Sequence, residues 1–122
     1  MRLVKARKIN SIMMQKLEQL CSAIDLISGR DTEKTVLEVL RAFIEEDGPL
    51  GSSKVSKITG LNRLTCLHHM KRLEHAKLLK KINRFYMLND FDEIFDYYEG
   101  VMRYRIQLMQ KLINEIEKFR ED

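Results

Sequence analysis

Cysteine and histidine are the side chains here that most readily do chemistry, and the chain has few of them: two Cys and three His. Cys66, His69 and His75 lie close in sequence, and thiolate and imidazole are zinc ligands. On a helix, however, Cys66 is expected on the core arc with His69 pointing away, and no carboxylate cluster completes a set. No metal and no cofactor is expected. Cys21 is placed opposite Leu17 and Ile24 or at the edge of their arc, hence near the surface; a redox switch through it has no further support. Two cysteines are too few for a disulfide scaffold and fit a reducing cytoplasm. A Gly-rich phosphate loop, a nucleophile elbow and an acid/base dyad are all missing, so the chain reads as a non-enzyme.

Charge is the stronger chemical signal. Lys and Arg number 22 and Asp and Glu 18, a formal net charge of +4. Between Ser52 and Tyr86, nine cations (Lys54, Lys57, Arg63, Lys71, Arg72, Lys77, Lys80, Lys81 and Arg84) face one carboxylate, Glu74, for a local +8. All three histidines fall in the same segment, and the rest of the chain carries −4. Such segregation points to a polyanionic partner on one surface; solvated surface lysines, the plainer explanation, usually come interspersed with glutamate.

Those residues need a scaffold. With 122 residues, 44% hydrophobic and 33% charged, the chain can form one domain, 1–122, with a real core. One Pro and five Gly leave few helix breakers. Ile9, Met13, Leu17, Leu20, Ile24 and Ile27 recur at helical spacing, close to a heptad seam, over 6–28. Gly29 sits where such a helix would stop, and Asp31 or Thr32 can cap the next, 32–46, halted by Asp47-Gly48-Pro49. Ser52 or Ser53 can cap a short helix ended by Gly60, and Asn62 another over 63–75. Leu78–Ile82 and Phe85–Leu88, joined at Asn83-Arg84, read as a β-hairpin. A last apolar stripe from Ile94 to Phe119 marks a helix over 91–120, which Gly100 could bend. Its acidic start and basic end suit the helix dipole. No apolar run is long enough to span a membrane, and no signal-peptide pattern follows the basic first residues. The chain is read as cytoplasmic, near the nucleoid.

The run from Leu50 to Lys81 has a positioning helix ending Thr59-Gly60-Leu61 and a polar cap at Asn62. A helix with Leu73-Glu74 near its end follows, then Ala76, Leu78 and Lys80-Lys81. Over about 40 residues this resembles the winged helix-turn-helix core of MarR- and ArsR-like regulators. The chain is most similar to the small dimeric winged-helix regulators of archaea. The resemblance implies a mainly α fold with a small β-hairpin wing: a winged core, 32–88, between long N- and C-terminal dimerisation helices, 6–28 and 91–120. Two departures stand out. Lys77 occupies a position where the family usually has glycine, and the cysteine-rich metal box of the ArsR-like sensors is missing.

A helix fits the major groove of B-DNA if its outer face offers donors and cations. With Cys66, Met70 and Leu73 turned inward, Leu64, Thr65, His68, His69 and Arg72 are expected outward, with Arg63 at the exposed start. Arg63 and Arg72 could read guanine or hold phosphate, and Leu64 could meet a thymine methyl. Lys54, Lys57, Lys71, Lys80, Lys81 and Arg84 suit phosphate contacts, as do Ser52, Ser53 and Asn62 at helix starts. The expected function is a homodimeric, sequence-preferring regulator binding double-stranded DNA, with helix 63–75 in the major groove and wing 78–88 on the backbone or minor groove. The alternatives are a winged-helix protein–protein assembly module and a nonspecific chromatin protein. An effector cavity between the terminal helices, found in many relatives, has no support in the residues themselves.

Overall fold

The structure, a computed structural model, describes residues 7–27 and 34–121. The chain falls into two units, one ending at Asn89 and one beginning at Asp90.

In the first unit, α1 (Ser11–Ala23) starts where the Asn10 side chain accepts the Met13 N–H at 2.8 Å, an N-cap that satisfies an otherwise orphaned donor. It is shorter than the expected 6–28 at both ends. The chain leaves it through Asp25, whose φ of 62° is left-handed. Residues 1–6, Gly29, Asp31 and Thr32 lie outside the described residues. Leu17 and Cys21, four positions apart, face inward together, and Cys21 is fully buried. That corrects the expectation of an exposed thiol: a step of four keeps a residue on the same helical face. Burial pushes the Cys21 thiol up to about 11, against the nearby Arg72 charge. An inaccessible, protonated thiol is a poor redox sensor.

Helix α2 (Thr35–Glu45) is the centre of this unit. Val36, Leu37, Val39, Leu40, Ala42 and Phe43 are all buried, because α1, α3, α4 and the hairpin pack around it. At its end, buried Glu45 accepts the Ile9 N–H at 2.6 Å and the Arg41 Nε–H at 3.2 Å, while Arg41 Nη2 donates to the Ile9 carbonyl at 3.3 Å. Both polar groups of one backbone residue are thereby clamped to α2. Burial alone would raise the Glu45 carboxyl, but the Ile9 N–H, Arg41 and Lys8 outweigh it and hold it below its ordinary value. A lowered native-state value means the clamp contributes fully above the ordinary Glu range and is lost as pH falls through the native value. Glu45→Gln should therefore cost roughly 1–3 kcal/mol at neutral pH. The gap from the parent chain should close as pH drops below about 4. Urea melts across pH read this directly, and a pH-independent gap would assign the effect to packing instead.

After Gly48 (φ 98°) and Pro49, the chain forms α3 (Ser52–Thr59), which stops at Gly60 with φ 75°. Asn62 caps α4 (Arg63–His75), accepting the Leu64 N–H at 2.7 Å. The turn between them is pinned from inside. Ser56 Oγ donates to the Leu61 carbonyl at 2.6 Å, and the Leu61 N–H donates to Thr59 Oγ1 at 3.2 Å. Helix α4 ends with Lys77 at φ 66°, where the Lys77 N–H reaches Glu74 O and the Leu78 N–H reaches Leu73 O. This is the Schellman arrangement. Lysine takes the left-handed place that glycine usually fills, and the Asn89 amide donating to Lys77 O at 2.9 Å braces it.

The hairpin follows, β1 (Leu79–Ile82) antiparallel to β2 (Phe85–Leu88), turning at Asn83 with φ 58°. Leu50 exchanges two backbone hydrogen bonds with Tyr86, 2.8 and 3.0 Å, giving β2 a neighbour on its other edge. This pairing is not apparent in the sequence. A mainly helical chain with helix–turn–helix followed by a two-stranded hairpin is consistent with a winged-helix fold.

The second unit is one helix, α5 (Phe91–Glu121), of 31 residues. It runs through Gly100 without interruption, with Asp92 and Glu93 in its first turn and Lys118 and Arg120 in its last. Phe95, Met102, Ile106, Met109, Leu112, Ile113, Ile116 and Phe119 are all exposed along it.

Candidate nucleic-acid interface

Helix α4 sorts its residues sharply. Cys66, His69, Met70 and Leu73 are buried, each with zero relative exposure. Leu64, His68, Lys71 and His75 are exposed at steps of four, three and four, and Arg63 stands exposed at the start. Leu64 is 75% exposed.

Two of the expected groove-facing residues are corrected. His69 is fully buried, and its Nε2 lies 2.8 Å from Thr35 Oγ1 on α2. It stands three residues after Cys66 and four before Leu73, so it belongs to their face. Arg72 is half-buried, and its Nη2 donates to the Leu26 carbonyl just beyond α1. The outer arc is therefore rotated from the expected one towards Leu64, His68, Lys71 and His75. Thr65 is half-buried on its flank. His75, not among the expected groove-facing residues, belongs to the exposed arc; the Leu64-His68-Lys71-His75 spacing is the sequence signal for it.

Around this arc the remaining cations are distributed over neighbouring elements. Arg63 Nε donates to Ser52 Oγ at 3.0 Å, linking the first turns of α4 and α3. Ser53, Lys54 and Lys57 are exposed on α3, and Asn62, also exposed, spends its side-chain oxygen on its own cap. On the hairpin Lys80 is half-buried and Lys81 and Arg84 are exposed. The Lys81 ammonium lies 5.8 Å from the centre of the Tyr86 ring, within cation–π range.

Cys66 and His69 do not diverge as expected; both face inward. Cys66 Sγ lies 3.6 Å from Thr59 Oγ1, and among the described residues no three His, Cys, Asp or Glu side chains come together as a metal site. No helix among them is long and apolar enough to cross a membrane.

No family model matches the chain, and no curated protein is significantly similar to it. The fold is shared with a regulator-like protein. A solved structure from Methanosarcina mazei Go1, described as a possible transcriptional regulator, matches with a TM-score of 0.55 over 80% of this chain and 86% of that one, at 18% identity. A likeness at that identity is one of fold; it does not select the MarR- or ArsR-like branch. The two chains share a fold, and chains that share a fold need not share a function.

Proposed function

We propose that the chain is a sequence-preferring, double-stranded-DNA-binding transcription regulator that acts as a homodimer. The observation that carries this reading is the sorting along α4. Its buried side packs against α2, α3 and β1, and its open side carries Arg63, Leu64, His68, Lys71 and His75. Cations and hydrogen-bonding rings alternating with one aliphatic side chain fit the edges of a major groove and its phosphate walls. Lys54 and Lys57 on α3 and Lys80, Lys81 and Arg84 on the hairpin extend the positive surface to either side, where sequence-independent phosphate contacts fall.

Dimerisation rests on exposed apolar surface. Helix α1 presents Ile12, Met13 and Leu20 to solvent, and α5 presents a stripe along its whole length. Contiguous apolar surface of that extent is a mark of association. Pairing through these helices would set two α4 helices in successive major grooves, about 34 Å apart.

Titration of a labelled random duplex at several salt concentrations tests the reading. With about five phosphate contacts, log K should fall with log salt at a slope near −4.5, and selection from random oligonucleotides should enrich a two-fold-related pair of half-sites. No binding at ~50 mM salt, where such contacts are strongest, would replace this reading with the protein–protein assembly module. Binding without enrichment would make it a nonspecific chromatin protein.

A further inference from the structure

Two side chains of α4 that do not face the open arc reach in the same direction. Arg72 donates to the carbonyl of Leu26, which sits in the turn that closes α1. That turn is held by the Leu26 and Ile27 N–H groups, both donating to the Cys21 carbonyl, at 2.9 and 3.3 Å. One helical turn earlier, the His69 ring meets Thr35, the first residue of α2, at 2.8 Å. One edge of α4 thus grips the end of α1 and the beginning of α2. These are the two sides of a single connection in the chain.

We propose that His69 and Arg72 form a two-point latch that sets the pose of α4 against α1 and α2, which makes Arg72 a positioning residue. Chemistry supports the assignment. A guanidinium donating to a backbone carbonyl makes a charge-assisted hydrogen bond, stronger than a neutral one. The carbonyl it uses belongs to a residue whose own N–H is already committed to Cys21, so the partner is fixed in place. The buried imidazole has a defined hydroxyl partner on the other side. Together the two bonds constrain both rotation of α4 about its axis and its separation from α1. The functional consequence rests on the DNA-binding reading. With the latch closed, the open arc of α4 keeps one pose relative to α1 and α2, and duplex affinity depends on that pose.

The test uses the full chain with Arg72→Met, which keeps the aliphatic stem and removes donors and charge, and Arg72→Gln, which keeps a shorter neutral donor. Hydrogen exchange without DNA comes first. In Arg72→Met the Leu26 and Ile27 amides should exchange about tenfold faster, with α3 unchanged, and Arg72→Gln should fall between. Duplex binding comes second: affinity for a selected site should fall about tenfold while the salt slope holds. Lys71→Ala, on the open arc, should instead reduce the slope by about 1. Unchanged exchange at Leu26 and Ile27 overturns the latch whatever DNA does, as does a slope reduced by about 1 in Arg72→Met. If the parent chain binds no duplex, the DNA reading fails and exchange alone decides the latch. Should Arg72→Met not fold, Arg72→Gln carries the same two measurements.

Discussion

Replacing Arg63 and Lys71 together by alanine should lower affinity for duplex DNA about a hundredfold, each contact contributing roughly 1–3 kcal/mol, and reduce the salt slope by about 2. Both side chains are exposed, so the fold should stay within about 0.5 kcal/mol of the parent chain. The Arg63 bond to Ser52 is a surface contact and does not change this, because exposed polar pairs contribute little. The double variant therefore separates recognition from folding. It should melt like the parent while losing binding to specific and random duplexes alike if both residues hold phosphate. If Arg63 reads a base, Arg63→Ala alone should also relax preference at one position of the selected site, with Lys71→Ala leaving preference intact. A double variant that binds with the parent's affinity and salt slope would remove α4 from the interface. Anisotropy titrations at three salt concentrations, with a thermal melt of each variant, supply every number needed.

The ease of that choice reflects how much of α4 was written in its residues. Asn62 as cap and Gly60 as stop are local rules, decided by one side-chain oxygen and one missing Cβ, and they fix the start of α4 and the end of α3. The hairpin was equally local: two apolar runs around Asn83-Arg84, with Asn83 taking the left-handed turn position. The difference lies in the outer arc. At about 100° per residue, Cys66, Met70 and Leu73 fix the centre of the inner face, and the residues opposite it are Leu64, His68, Lys71 and His75, with His69 on the inner side. The spacing from Cys66 and Leu73 already assigns His69 to the inner face; what no local pattern records is its partner Thr35, thirty-four positions away. Arg72 shows the same limit, since its carbonyl partner lies forty-six positions back. The burial of Cys21 is legible in the sequence, in its four-residue step from Leu17. The amino-terminal helix was overextended because apolar spacing continued past the point where Asn10 caps it, and a capping side chain outweighs periodicity at a helix end. The pairing of Leu50 with Tyr86 was hidden because one bridging residue leaves no alternating pattern.

Placing aspartate at Ile106 and Ile113 should convert the proposed dimer to a monomer. Both side chains are exposed, 61% and 52%, on α5, so neither substitution removes a core contact of the single chain. At ~1.5 Å per residue α5 is about 46 Å long, and its outward Phe95, Met102, Ile106, Met109, Ile113 and Ile116 form a nearly continuous apolar stripe. A helix so exposed gains little from propensity alone and is stabilised chiefly by packing of its apolar face. In the proposed dimer each of these isoleucines would be buried, a gain of roughly 1.5–3 kcal/mol per side chain, felt twice by symmetry. Aspartate forfeits that gain and adds the cost of desolvating a carboxylate. Four substituted positions per dimer exceed what most associations of this size can lose. Sedimentation equilibrium should give about twice 14.5 kDa for the parent and 14.5 kDa for the double variant, with the winged unit still folded. DNA binding should then separate into two independent half-site events: affinity for a single half-site retained, affinity for the full site lower by a factor of about 100 or more as avidity is lost. A parent chain that sediments as a monomer at tens of micromolar, yet binds the full site as tightly as before, would show that the stripe on α5 serves something other than a second copy.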